Sequence, residues 1–311
     1  MSFIHNFQFH FHDKQIQSIL HEKKYDAALT HINKITNKKI HTQLSFKYLP
    51  TIIQSINDES LEYKIVWINS FSRKEGSYLI KFLEFYLSNF PGFEQHIKTY
   101  QEEIADILDS PQSVDLNSLV NLSYAYQWII TQKNKMRYKF IFNHWPFFST
   151  QNDFNFTNSN LTQSYLTLID SPYEVYKRIK IEFQNDLIVS RNKFLNLDDV
   201  VEDEKIRNIN FKVSNKGWGA HTLSWFDVNV VNSLKGKIVH NKNLFNETFD
   251  TLSSIILHFI QSGVGLEINY QLIEDFIKLN PLEKQESMEL SKKEIKFLNN
   301  HVENIINEYD L

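Results

Sequence analysis

The sequence contains no cysteine, only seven glycines and six prolines, and no long uninterrupted apolar segment. Without thiols the chain has no disulfide, no thiolate nucleophile and no cysteine ligand for zinc or an iron–sulfur cluster. The most apolar stretch, residues 255–260, is interrupted by His258 and is far shorter than the roughly 20 residues that span a bilayer. The first residues lack the basic and apolar regions of a secretory signal. We therefore expect a cytoplasmic protein without a membrane partner.

The scarcity of glycine also removes the common nucleotide-binding motifs. Gly263 and Gly265 lack the third glycine and the following Lys-Ser/Thr that a phosphate-binding loop needs. No Gly-x-Ser-x-Gly elbow is present either. These absences argue against an ATPase, an ordinary dinucleotide enzyme and an α/β-hydrolase, and we predict no cofactor. The formal net charge of -4 gives no whole-chain reason to expect nucleic acid.

Apolar residues recur at helical spacing through most of the chain before residue 133. Steps of three and four residues place them on one face of each helix, and each such face must be buried against another. One such stripe consists of Leu79, Phe82, Leu83, Tyr86 and Phe90. The repeated pattern predicts antiparallel helices that pack mainly against each other in a bundle or array, one of them at residues 61–71. A further short helix is predicted later in the chain, at residues 161–169.

The first residues show a different period. Phe7, Phe9 and Phe11 alternate with polar residues, which predicts a strand, and this strand would place His10 and His12 on one face. A His-x-His pair at the end of a first strand resembles the metal-binding pair of amidohydrolase barrels. Two imidazoles on one face can share a metal ion. The alternative is a solvent-facing strand edge.

Residues 133–142 also alternate, with an apolar face and a strongly basic one. The basic row consists of Lys133, Lys135, Arg137 and Lys139. Like charges on one strand face repel one another unless water, carboxylates or phosphates neutralise them. The row is therefore either a solvated, edge-protecting face or a contact surface for an anion or nucleic acid.

Arg137 and His144 supply a possible catalytic pair. Their spacing is similar to the R-x(4–6)-H pattern of HEPN ribonucleases, although Tyr138 follows the arginine and the segment is predicted to be extended. The resemblance implies metal-free RNA cleavage, in which an arginine and a histidine act together.

After the Asn-rich stretch at residues 149–160, the sequence predicts a mixture of helices and short strands. A turn at residues 216–219 carries Trp218, and a return strand follows with Trp225. With His221 between them, these aromatic residues form either a small core that anchors a hairpin or a surface that stacks on a base, a sugar or a peptide side chain.

We therefore predict a mainly helical protein with an antiparallel helical bundle or array at residues 1–148 and a smaller α+β domain with a short antiparallel sheet at residues 161–311. The expected function is binding or regulation, through recognition of a protein partner by the helical array and the aromatic turn. The alternatives are an enzyme that acts on a phosphate-bearing or nucleic-acid substrate with Arg137, His144 and His221, and a nucleic-acid-binding protein that uses the basic row.

Overall fold

The computed structural model shows a mainly helical protein that also contains a parallel sheet. It describes residues 3–56, 61–71, 73–108, 113–115, 120–134, 136–144, 147, 155–195, 201–206, 209–214, 217–282 and 288–309. Among these residues, no helix combines the length and the apolar character needed to cross a membrane.

The described residues form fourteen helices. In chain order they are α1 (Phe3–His21), α2 (Tyr25–Asn33), α3 (Lys38–Ser55), α4 (Arg73–Leu87), α5 (Tyr100–Ile107), α6 (Val120–Asn134), α7 (Pro172–Glu182), α8 (Leu187–Leu195), α9 (Trp218–Phe226), α10 (Val228–Ser233), α11 (Asn241–Asn246), α12 (Thr248–Gln261), α13 (Tyr270–Leu279) and α14 (Lys292–Tyr309).

The same residues form eight strands in two sheets. The strands are β1 (Lys64–Ser70), β2 (Lys98–Thr99), β3 (Ser113–Asp115), β4 (Tyr138–Asn143), β5 (Thr162–Ile169), β6 (Val201–Ile206), β7 (Ile209–Ser214) and β8 (Gly236–His240). A small sheet has the order β3-β7-β6, with β7 parallel to β3 and antiparallel to β6.

The larger sheet overturns the predicted fold class. Its five strands have the order β2-β4-β1-β5-β8, and every neighbouring pair is parallel. The prediction of a helical bundle followed by a short antiparallel sheet is therefore wrong. The strands on either side of residues 149–160, β4 and β5, both pair with β1.

Helices cover both faces of this sheet, as a parallel sheet requires. On one face, Val66 and Phe140 pack with α4, α12 and α13. On the other face, Trp67 and Tyr165 pack with α5, α6 and α9. Successive strand residues thus enter two different cores, which explains why β1 and β5 are apolar on both sides. The helices α1, α2 and α3 form a separate core with α6.

Several local predictions are wrong. Two of them fail for the same reason. The segments at residues 61–71 and 161–169, which we predicted as helices, contain β1 and β5, because a strand buried on both faces shows no period of two. Residues 3–12, predicted as a strand, belong to α1. The predicted turn and return strand after residue 216 are the helices α9 and α10.

Candidate functional site

The topology of the large sheet identifies one edge as a ligand-binding position. The chain leaves the neighbouring strands β1 and β5 in opposite directions. After β1 it continues to β2 and β4 on one side of the sheet, and after β5 it continues to β8 on the other side. In open parallel sheets, the crevice for ligands lies beyond the carboxyl ends of two such strands. This position is the carboxyl edge between β1 and β5.

Two helices begin at this edge. The helix α4 begins at Arg73, shortly after β1 ends at Ser70, and α7 begins at Pro172, shortly after β5 ends at Ile169. The N-terminus of a helix carries a partial positive charge and unpaired N–H groups, both of which favour an anion. The α4 helix packs tightly on β4, since a Cβ atom at Gly76 would lie 2.6 Å from the Phe142 ring.

A row of buried polar side chains crosses the sheet at the same edge. Asn69 is aligned with Asn143 on β4 and with Thr167 on β5. The Asn143 Nδ2 donates to Asn69 Oδ1 at 3.1 Å, and Asn69 Nδ2 donates to Thr167 Oγ1 at 3.5 Å. All three side chains are buried. Burial of polar groups is costly unless they are paired, so this row is a specific feature of the edge.

His144 follows β4 directly and stands next to this row. Its Nε2 lies 2.8 Å from Nε2 of Gln101. The two side chains are hydrogen-bonded, and the direction of this bond depends on the tautomer of the imidazole. The Gln101 side chain is fully buried on α5, and it therefore holds the imidazole in one orientation.

His221 reaches the same edge from α9. Its ring contacts the Phe71 ring, with centroids 5.6 Å apart, and the residue is only 2% exposed. Its Nε2 is buried and has no hydrogen-bond partner in the part of the chain that the structure describes. Burial, together with the charge of His144, lowers the pKa of His221 to about 3. The imidazole is therefore neutral near pH 7 and presents an unsatisfied buried nitrogen.

A buried ion pair closes the end of β5. Asp170 pairs with Arg178 of α7 and accepts a hydrogen bond from Asn241 Nδ2 at 2.7 Å. The other carboxylate oxygen accepts from the backbone N–H of Ser171 at 2.9 Å. Since these bonds occupy both oxygens of Asp170, the cluster fixes the start of α7 relative to β8.

The structure brings together two of the three predicted catalytic residues. His144 follows β4, and His221 contacts Phe71 directly after β1, so both histidines lie at the carboxyl edge. Arg137 precedes β4 while His144 follows it, so the arginine lies at the opposite end of the strand, about 20 Å away at the usual rise per residue. The pattern that resembles the HEPN ribonucleases therefore does not form one site here.

The basic row does not form one exposed face among the described residues. Lys139 is buried, and its Nζ lies 3.0 Å from Glu103 Oε1. Lys133 donates to the backbone oxygen of Asp106 at 2.8 Å. Arg137 is exposed and lies over the ring of Tyr138. Lys135 lies outside the described residues.

The two tryptophans predicted to bind ligand are both buried on α9. Trp218 is 1% exposed and stacks on Phe194, with centroids 5.9 Å apart. Trp225 is fully buried, and its backbone oxygen accepts a hydrogen bond from the Tyr165 hydroxyl. Both residues contribute to the cores that hold α9, and this packing positions His221.

His10 and His12 do not share a strand face, because both belong to α1. Residues two positions apart in a helix point in clearly different directions. Within the described part of the chain, no group of three or more His, Asp or Glu side chains is arranged to hold a metal ion. His12 instead faces His31 of α2.

The site residues predicted from the sequence did not include Asn69, Gln101, Asn143 and Thr167. One signal was available, because two apolar runs end in similar triplets, Ile68-Asn69-Ser70 and Phe142-Asn143-His144. A polar residue at the end of each of two buried strands is typical of the carboxyl edge of a parallel sheet.

No known protein-family model matches the chain, and no curated protein matches it.

Proposed function

We propose that the protein is an enzyme that binds a phosphate-bearing ligand at the carboxyl edge between β1 and β5. The observation that carries this proposal is a polar cluster located where two strands diverge and two helices begin, which consists of the half-buried His144 and the buried Asn69, Asn143, Thr167 and His221. We call this set the carboxyl-edge cluster.

The preference for phosphate rests on electrostatics. The N-termini of α4 and α7 both lie at the crevice, and each favours an anion. The first residues of α4 include Arg73 and Lys74 in the sequence, although their side chains lie outside the described residues. Asp170, the acidic residue that directly follows β5, is paired with Arg178. The crevice therefore favours negative charge.

Within this site, His144 is the residue proposed to exchange a proton with the ligand. Its orientation is set by Gln101, and a positioned histidine accelerates proton transfer by about 10²–10⁴-fold. His221 is proposed to bind the ligand through its Nε2, which has no hydrogen-bond partner among the described residues. A ligand hydroxyl or phosphate oxygen would satisfy this atom.

The test is a titration of the full chain with nucleoside mono-, di- and triphosphates and with the corresponding nucleosides. We expect saturable binding of phosphate-bearing ligands only. In His221→Phe, binding becomes about fivefold to tenfold weaker, the equivalent of one lost hydrogen bond of about 1–1.4 kcal/mol. In His144→Gln, binding is largely kept, while the rate at which the protein converts the bound phosphate-bearing ligand falls by about 10²-fold or more.

The matched control is His301→Gln, because His301 is exposed on α14 and is not a member of the carboxyl-edge cluster. It is expected to leave both binding and turnover unchanged. Equal affinity for nucleosides with and without phosphate, or unchanged turnover in His144→Gln, would contradict the proposal.

A second candidate function, recognition of a protein partner, is favoured by an exposed apolar patch at the α7–α8 turn. The patch consists of Ile181, Leu187, Ile188 and Val189, and Ile188 is 73% exposed. Exposed apolar patches of this kind mark interaction surfaces. The sequence-based proposal assigned recognition to the helical array and to Trp218 and Trp225, whereas these tryptophans are buried.

The patch can be tested by comparing Ile188→Asp with Leu279→Asp. Leu279 is similarly exposed, at 71%, but lies at the end of α13. We expect a partner isolated with the wild-type chain to be lost only with Ile188→Asp. Retention of the partner by both variants would exclude this surface. No observation favours the nucleic-acid alternative in the same way, since Lys139 is paired with Glu103.

A further inference from the structure

Two histidines face each other across the first helical hairpin. His12 Nδ1 on α1 lies 3.1 Å from His31 Nε2 on α2, and the ring centroids are 5.2 Å apart. Both residues are half-buried. The contact joins two helices that are connected by the short turn at residues 22–24.

The spacing of the two nitrogens matches that of a shared metal ion. In a tetrahedral site with metal–nitrogen distances of about 2.05 Å, two imidazole nitrogens are about 3.3 Å apart. The observed separation of 3.1 Å differs from this value by a few tenths of an ångström. An ion to one side of the line between the two nitrogens can therefore reach both of them when the two rings turn their lone pairs towards it, while the helices keep their present separation.

The surrounding groups limit the number of protein ligands to these two. Asp13, the nearest carboxylate in the sequence, already accepts from Lys47 Nζ at 2.7 Å and from Tyr48 OH at 2.6 Å. No third His, Asp or Glu of the described chain completes the set. The remaining coordination positions are left to water, which the half-exposed setting of the pair permits.

We propose that His12 and His31 bind one late first-row divalent metal ion, of the class of Zn²⁺, Ni²⁺ or Cu²⁺, which bridges α1 and α2. Neutral imidazole is a preferred ligand of these ions. The inference is independent of the function proposed for the carboxyl edge, because it concerns other residues and another part of the fold.

The bridge has a structural consequence. The α2 helix has only nine residues, and helices of this length depend on tertiary contacts for their stability. An ion that binds the folded hairpin but not the unfolded chain stabilises the hairpin by mass action. The order of affinity is expected to follow Cu²⁺ above Zn²⁺ and Ni²⁺.

The experiment is a calorimetric titration of the untagged full chain with Zn²⁺ and, separately, with Cu²⁺. We expect one equivalent to bind, and an increase in thermal stability at saturation. His12→Ala and His31→Ala should each weaken binding at least about tenfold, since even the loss of an outer-shell partner of a metal site costs about 10–100-fold. The absorption spectrum of the Cu²⁺ complex should show nitrogen coordination in the wild type only.

The matched controls are His10→Ala and His21→Ala, which remove imidazoles from the same helix. Both are expected to bind like the wild type. Circular dichroism without metal establishes that the variants are folded, and His31→Gln replaces His31→Ala if the smaller side chain unfolds the hairpin. The proposal is wrong if the wild type binds no equivalent, if binding survives both His12 and His31 substitutions, or if His10→Ala abolishes it.

Discussion

Two buried polar clusters lie on the large sheet, and they differ in whether their hydrogen bonds are complete. The first, which we call the closed network, joins α5, α6 and the start of β5. Its members are Trp67, Tyr100, Ser123, Gln127, Thr157 and Thr162. Gln127 donates to Ser123 Oγ at 2.7 Å and to the Phe156 oxygen at 2.8 Å, and accepts from Thr157 at 2.6 Å.

The carboxyl-edge cluster lacks this completeness. Its His221 Nε2 is buried and finds no hydrogen-bond partner within the described ranges, a condition that costs about 1–3 kcal/mol. Buried polar groups without partners are uncommon in folded proteins. The difference indicates that the closed network serves the stability of the fold, whereas the carboxyl-edge cluster retains hydrogen-bonding capacity for a ligand.

The largest expected difference between the clusters concerns pH. The pKa of His221 is about 3 in the folded protein and near 6.5 in the unfolded chain. Between these values the unfolded chain binds the extra proton, so stability is present above pH 6.5 and is lost as the pH falls. The loss approaches about 1.4 kcal/mol per pH unit. Denaturation of the wild type and of His221→Phe at pH values from 7 to 4.5 measures this loss of stability. The same dependence of the free energy of unfolding on pH in both proteins would contradict the lowered pKa of His221.

A substitution in the closed network should have the next largest effect. Gln127→Leu removes three hydrogen bonds and leaves the Thr157 hydroxyl with one partner fewer. We expect a loss of about 2–3 kcal/mol in the free energy of unfolding, with ligand affinity unchanged. Gln15→Leu, at an exposed position of α1, is the control and should stay within about 0.5 kcal/mol of wild type.

The same substitution at two positions of β5 separates the clusters directly. Thr162 accepts from Trp67 Nε1 at 3.0 Å and bonds Thr157 at 2.7 Å, whereas Thr167 has only the 3.5 Å contact with Asn69. Thr162→Val should cost about 2 kcal/mol of stability and leave binding intact. Thr167→Val should cost less than about 1 kcal/mol but weaken ligand binding. A larger loss of stability in Thr167→Val than in Thr162→Val, with ligand binding weakened only in Thr162→Val, would contradict the different roles of the two clusters.

The smallest expected effect on stability is that of His221→Phe at pH 7. The substitution removes an unsatisfied buried nitrogen and keeps the aromatic contact with Phe71. Relief of this nitrogen is opposed by the cost of fitting a larger ring into a packed site, so the free energy of unfolding should change by no more than about 1 kcal/mol in either direction. Urea denaturation measures it. A loss of several kcal/mol would show that His221 has a structural partner.

The sequence predicted only part of this architecture, for identifiable physical reasons. The strand β4 was recognised because Lys139 interrupts its apolar residues, although Glu103 pairs with that lysine in the interior. The strand β5 was mistaken for a helix because both of its faces are buried. The alternating phenylalanines before residue 12 suggested a strand, yet Phe7 and Phe11 are exposed on a helix.

The candidate site was predicted in fragments. His144 and His221 were each named as candidates from the sequence, but their proximity depends on α9 packing against the sheet through Trp225. No local pattern encodes this packing. Asn69 and Thr167 were overlooked because their strands had been assigned as helices, so the carboxyl edge did not exist in the sequence-based description.

The most direct test of the central claim is an NMR titration that follows the histidine ring signals while a nucleoside triphosphate is added. If the carboxyl edge binds the ligand, the signals of His144 and His221 shift and saturate together, while that of His258, which bonds Ser164 Oγ at 2.9 Å on another part of the sheet, stays in place. Saturable binding that leaves both the His144 and His221 signals unchanged would contradict the account.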